Sequence, residues 1–303
     1  MEHFFSSFFL PITLVVIMIG VGLSLTLQSF RNIIVYPRAI LLGLVSQMLL
    51  LPLLAFWIAD NMALSPEFKV GLVVIAACPG GASAGLITHL LRGNVALSVS
   101  LTSVNSMLTV FSIPFITNLA LERYHDQSAR IILPFGKTIV EIGLMTILPA
   151  LVGVFIRYRK PLWAKMLEKP LRVIMPTLLL MAFLGIILFE RGGAEASYAD
   201  FVSLLWPNIA LNLVGMIGGF LLALVAGLGP TSRMTIAIEV GLQNSSLAIF
   251  VSQVLLQSSA MAMVAVVYGS FTFGTAVLFG MGVYRLNKWV RKQIVLRKKA
   301  LKP

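Results

Sequence analysis

Charged side chains are scarce in this 303-residue chain, where Asp, Glu, Lys and Arg make up 11% against about 25% in ordinary soluble domains. With 58% hydrophobic residues and a mean hydropathy of +0.96, that scarcity excludes a sizeable soluble domain and implies a polytopic membrane protein. Cysteine is nearly missing too. Cys78 stands alone, so an intrachain disulfide and a cysteine-based zinc site are excluded. No Gly-x-x-x-x-Gly-Lys-Ser/Thr loop, His-Glu-x-x-His or Gly-x-Ser-x-Gly occurs, and the apolar segments hold too few ionisable groups for an acid/base pair. Neither an enzyme nor an ATP-driven pump is expected. The amino-terminal "MEHFFSSFFLPITLVVIMIGVGLSL" lacks the basic region of a secretory signal and reads as a retained first span.

Positive charge is what the chain has in excess, with a net +12. It does not form a nucleic-acid-binding face, because the Lys and Arg collect at segment ends and in the tail "YRLNKWVRKQIVLRKKALKP". A crossing needs about 20 apolar residues. That rule predicts nine helices, near 8–30, 39–59, 68–91, 95–120, 131–156, 171–189, 201–227, 234–256 and 261–284. Arg31, Arg38, Arg92, Arg233 and the basic stretches at 157–172 and 285–302 then share one side, while Lys69, Arg123, Arg130, Lys137 and Arg191 share the other. The imbalance puts the amino terminus outside and the carboxyl terminus in the cytoplasm, and the membrane expected is the cell's inner (plasma) membrane.

Two of these segments are interrupted. "ACPGGASAG" sets Pro79 and two glycines inside the third span, which predicts a break near 78–85. "EVGLQNSSLAIF" sets Glu239, Gln243, Asn244, Ser245 and Ser246 inside the eighth, and predicts a second break near 239–246. The two lie five spans apart, so they cross in opposite senses. That is the pattern of inverted five-helix repeats whose first helix is missing, with residues 1–130 forming a first repeat of four spans and 131–303 a second of five plus the basic cytoplasmic tail. Glycine and serine also serve simple helix packing, as in Gly81-x-x-x-Gly85, but the paired placement and the buried acid favour a transport site.

An acid within a span is costly to insert, by about 2.5–3.5 kcal/mol. Glu239 and Gln243 are four residues apart, and Gln47 sits mid-segment in span two. A carboxylate with amide and carbonyl oxygens suits a hard cation such as Na⁺; a titrating glutamate suits a proton equally well, and Gln47 could be interhelical glue. Ser98 and Thr102 lie one turn apart in span four, where hydroxyls commonly bond back to helix carbonyls.

"CPGGASAGLITHLLRGNVALSVSLTSVNSMLTVFSIPF" and "IEVGLQNSSLAIF" resemble the bile acid:sodium symporter family over essentially the whole chain. The resemblance implies an all-α membrane protein with a panel and a core domain, whose two discontinuous helices cross at the substrate site. It implies one complete sodium site from Gln47, Glu239, Gln243 and the carbonyls of Val240 and Leu242. A second site would use Ser98, Thr102 and Glu239, but Ala84 and Gly85 stand where the family has Ser-Asn, so one working cation site is expected. The half-helix amino termini, with Gly80, Gly81, Ala82, Ser83, Asn244 and Ser245, would face a carboxylate or sulfate. The function expected is sodium-coupled import of a small organic anion by alternating access, with no transition metal, no other cofactor and no obligatory protein partner. The alternatives are a proton-coupled or uncoupled carrier of the same fold, including an arsenite-type permease using Cys78, and a non-transporting membrane sensor.

Overall fold

A computed structural model describes residues 5–81, 83–125, 133–189 and 198–300. A π turn (Phe5–Phe9) leads into α1 (Leu10–Ser24). Next come α2 (Leu27–Val35), α3 (Pro37–Asn61, with a π turn at Ser46–Leu50), α4 (Pro66–Ala77) and α5 (Ala84–Leu90). The chain continues through α6 (Val95–Tyr124), α7 (Phe135–Arg159), α8 (Pro161–Phe189) and α9 (Tyr198–Val225). It ends with α10 (Pro230–Gly241), α11 (Ser245–Leu255, closing in a π turn at Val251–Leu255) and α12 (Ser259–Ala300).

Local chemistry sets many of these ends. Pro37, Pro66 and Pro230 open α3, α4 and α10, where a missing N–H costs nothing. Asn94 caps α6 by accepting from the Leu97 N–H at 3.0 Å, and Asn244 caps α11 by accepting from the Leu247 N–H at 3.1 Å.

Among the described residues, six helices are long and apolar enough to cross a membrane, or seven when α8 is counted across its 42° bend between Leu171 and Val173. Pro170 and Pro176 flank that bend and remove ladder donors there. The broken pairs α4/α5 and α10/α11 lie where the third and eighth of the nine expected crossings fall, and each half is shorter than a full crossing. Three boundaries depart most from expectation, one of them the end of α12, which runs on to Ala300 rather than stopping near 284. The first helix stops at Ser24 rather than near 30, because Leu25 turns extended (φ −81°, ψ 143°), and α8 starts ten residues early, at Pro161. The expected repeat boundary at 130/131 lies outside the described residues.

Both breaks fall within the predicted stretches. Cys78 leaves helical torsion before Pro79 (ψ 156°), and Leu242 and Asn244 both sit at ψ 84°. The two unwound stretches then pair with each other. Gly81 N–H donates to the Leu242 carbonyl at 2.5 Å and Asn244 N–H to the Pro79 carbonyl at 2.8 Å, an antiparallel bridge centred on Gly80 and Gln243. Polar backbone released by each break is thus satisfied by the other. A Cβ on Gly81 would sit 3.0 Å from the Gln243 carbonyl oxygen, so glycine permits the approach.

The helices gather into two packing groups. One joins α1, α7 and α8; the other surrounds the bridge with α3, α4, α6, α9, α10 and α12. In the first, a Cβ on Gly22 would run into the Ala150 carbonyl and one on Gly153 into the Ile19 carbonyl, so small residues bring α1 and α7 into backbone contact. Leu144, Leu148, Leu151 and Phe155 line the outer side of α7, as a lipid-facing helix requires.

Candidate functional site

Glu239 lies three residues before the break that ends α10, and its side chain is fully buried. Ser98 donates its hydroxyl to Oε1, while Thr102 Oγ1 lies 3.2 Å from Oε1 and 3.0 Å from Oε2. The sequence expectation that these two hydroxyls bond back to their own helix does not hold. Ser100 and Ser103, on other faces of α6, do so, to Ala96 and Val99 at 2.7 and 2.6 Å. Among the described residues no Lys, Arg or His pairs with Glu239. A carboxylate sealed from water without a counter-charge needs a proton or a cation.

Gln47 approaches from α3, inside the π turn at Ser46–Leu50. Its Nε2 donates to the Glu239 backbone carbonyl at 2.8 Å, and its Oε1 accepts from Asn105 Nδ2 at 2.8 Å. Gln243 folds back along α10, Nε2 donating to the Val240 carbonyl at 2.7 Å, which leaves its buried Oε1 with no donor. The Val240 and Leu242 carbonyls each accept one hydrogen bond, from Gln243 and from Gly81, and each oxygen keeps a second lone pair. Gly80 closes the floor of this cluster. A Cβ there would collide with Glu239 Oε2 and come within 3.2 Å of Gln47 Nε2.

The structure therefore gathers Gln47, Ser98, Thr102, Glu239, Gln243, Gly80 and Gly81 at the bridge. Ala84 and Gly85 begin α5 and bring no side-chain oxygen; a Cβ on Gly85 would meet only Val99. Ser83 is exposed, and Ala82 lies outside the described residues. Asn244 and Ser245 are buried, and Asn244 Oδ1 is engaged by the Leu247 N–H and, at 2.7 Å, the Ser246 hydroxyl. Cys78 is buried in the main apolar cluster.

Sequence reasoning missed two groups. Asn105 is the partner of Gln47, and its spacing of seven from Ser98 and three from Thr102 was a usable sign of a shared helix face. Beyond the break, Asn212 Nδ2 and Tyr268 OH both donate to the Gly241 carbonyl, at 2.7 and 2.9 Å, and Thr275 donates to Asn212 Oδ1 at 2.7 Å. Nothing in their separate spans marked these as partners.

The profile of the Sodium Bile acid symporter family matches residues 11–196. The chain is 29% identical over 237 residues to the probable sodium/metabolite cotransporter BASS1 of Arabidopsis thaliana chloroplasts, covering 78% of this chain and 57% of that protein. It is 28% identical over 242 residues to the sodium-dependent transporter YocS of Bacillus subtilis, with coverages of 80% and 72%. Against the human ileal sodium/bile acid cotransporter it is 26% identical over 282 residues, covering 91% and 78%. It spans little more than half the length of the plastid relative.

Proposed function

The chain belongs to the sodium bile acid symporter family, and we propose that it is a secondary transporter that moves a small organic anion by alternating access, coupled to Na⁺ at one site. The family is one of transporters, not of enzymes. One observation carries the proposal: among the described residues, the buried Glu239 carboxylate has hydroxyl and amide neighbours but no protein cation, and the buried Gln243 oxygen beside it lacks a donor. Oxygen-only surroundings of this kind suit Na⁺ and offer nothing to a soft metal. In this reading Gln47, Glu239, Gln243 and the Val240 and Leu242 carbonyls hold the ion, with Ser98 and Thr102 orienting the carboxylate. Ala84 and Gly85 leave a second ion short of ligands, so uptake should follow sodium with a Hill coefficient of about 1.

The substrate anion would sit beside the bridge, near Gly80 to Ser83, Asn244 and Ser245, where two helix starts meet. Counting each broken pair as one crossing gives nine spans, the inverted repeats of 1–130 and 131–303, and a cytoplasmic carboxyl terminus in the plasma membrane. Uptake of a panel of organic acids into proteoliposomes, under Na⁺ and H⁺ gradients imposed separately, tests the proposal. Sodium-driven uptake that disappears in Glu239→Ala is expected. Uptake driven by protons alone, or unchanged in that variant, overturns it.

A further inference from the structure

We infer that Asn105 is a positioning residue of the cation site, acting through the Gln47 amide. The inference rests on the cation reading above and adds a residue outside its ligand set. Asn105 is fully buried on α6, three residues beyond Thr102 and seven beyond Ser98, so the three side chains share one helix face. The first two reach the Glu239 carboxylate. The third instead donates Nδ2 to Gln47 Oε1 at 2.8 Å, while Gln47 Nε2 donates to the Glu239 carbonyl at 2.8 Å.

A primary amide can turn end for end, exchanging its oxygen and nitrogen at almost no change in shape. With both ends of Gln47 engaged, that turn is blocked. The oxygen stays where Asn105 holds it, and its second lone pair remains open to a cation. Asn105 Oδ1 has no donor, although an unpaired buried oxygen is destabilising. An apolar side chain would avoid that cost but could not orient Gln47. On the α3 side, Gln47 is carried by the π turn at Ser46–Leu50, a locally widened stretch of helix.

The test titrates the unfolding temperature of the purified full-length protein with NaCl, using KCl as the ionic-strength control. An ion that binds only the folded protein raises that temperature. Asn105→Ala should raise the half-saturating sodium concentration about tenfold, the equivalent of one lost hydrogen bond. Asn105→Asp is nearly isosteric but cannot donate to Gln47 Oε1, so it should bind sodium no better than Asn105→Ala; it also keeps the test usable if the alanine variant does not fold. Adding Asn105→Ala to Gln47→Ala should cost nothing further, because one residue acts through the other. Additive losses, or tighter sodium binding in Asn105→Asp, overturn the inference. Glu239→Ala separates it from the cation reading. A sodium response lost there but intact in Asn105→Ala sinks the role of Asn105 alone, whereas a response surviving Glu239→Ala sinks the site itself.

Discussion

At the scale of single residues, the cluster around Glu239 depends on groups that differ by one atom from harmless substitutes. Thr102→Val keeps the shape of the side chain and removes the hydroxyl that lies within 3.2 Å of both carboxylate oxygens. Hydrogen bonds to charged groups contribute about 1.5–3 kcal/mol, so sodium titration of uptake should show at least a tenfold loss of apparent affinity. An unchanged titration would remove Thr102 from the site. Glycines offer a matched pair. Gly80→Ala drives a methyl against Glu239 Oε2 and Gln47 Nε2, whereas Gly85→Ala meets only Val99 Cγ2, at an ordinary 3.8 Å. The first should abolish sodium-dependent uptake with the protein still present in the membrane, and the second should leave uptake within about twofold. Equal losses in both would mean that the Gly80 contact is not what matters. Much of this site was legible in the chain itself, because a Glu, two Gln and a proline-glycine break have few uses inside apolar spans. The partner of Gln47 was not, since a lone Asn in a helix looks the same whether it faces a neighbour's amide or a packing gap.

At the scale of elements, the notable feature is how the carbonyls freed by unwinding are held. Gly241 ends α10, and its oxygen receives donors from α9 and α12 through Asn212 and Tyr268, with Thr275 steadying Asn212. This arrangement fixes the end of α10 from two neighbouring helices. Asn212 also reaches the Tyr268 hydroxyl at 3.3 Å, so the three side chains form one network and their losses should not add. Tyr268→Phe removes one of two donors and should cost about 1 kcal/mol of stability. Asn212→Ala removes both the second donor to Gly241 and the acceptor of Thr275, whose hydroxyl keeps the Thr272 carbonyl at 3.0 Å, and should cost about 2 kcal/mol, read from thermal unfolding in detergent. A Tyr268→Phe loss as large as that of Asn212→Ala would show that the tyrosine, not the network, holds the break. Element boundaries were legible where proline, glycine or a capping Asn marks them, as at Pro66, Pro79 and Asn94. They were not legible at Leu25, where an apolar residue with no special backbone preference ends α1, nor at the three π turns, which depend on neighbouring helices rather than on local propensity.

At the scale of the whole molecule, the two packing groups touch unequally along α1. Near its start, the π turn at Phe5–Phe9 meets the π turn at Val251–Leu255. Near its end, a small, mostly apolar pocket lies between α1, α6 and α7, lined by Met18, Val21, Ser106, Met107, Leu151 and Val154. Under the proposed orientation the closed contact lies in the outer half of the membrane and the pocket in the cytoplasmic half. The Val251–Leu255 turn carries Ser252, whose hydroxyl is buried with no partner among the described residues. Such a group costs roughly 1–3 kcal/mol while sealed and recovers it once water enters, so this seal is suited to opening. Alternating access then makes a joint prediction about two positions rather than one. With Cys78→Ala removing the native thiol, Ser106→Cys should react with an impermeant maleimide from the cytoplasmic face while Ser252→Cys is protected. Any change of ions or substrate that raises labelling at 252 must lower it at 106, because one rearrangement closes what it opens. Simultaneous labelling of both positions would describe a channel rather than a carrier. Labelling of 106 that never responds to 252 would mean that the two groups of helices do not move against each other at all.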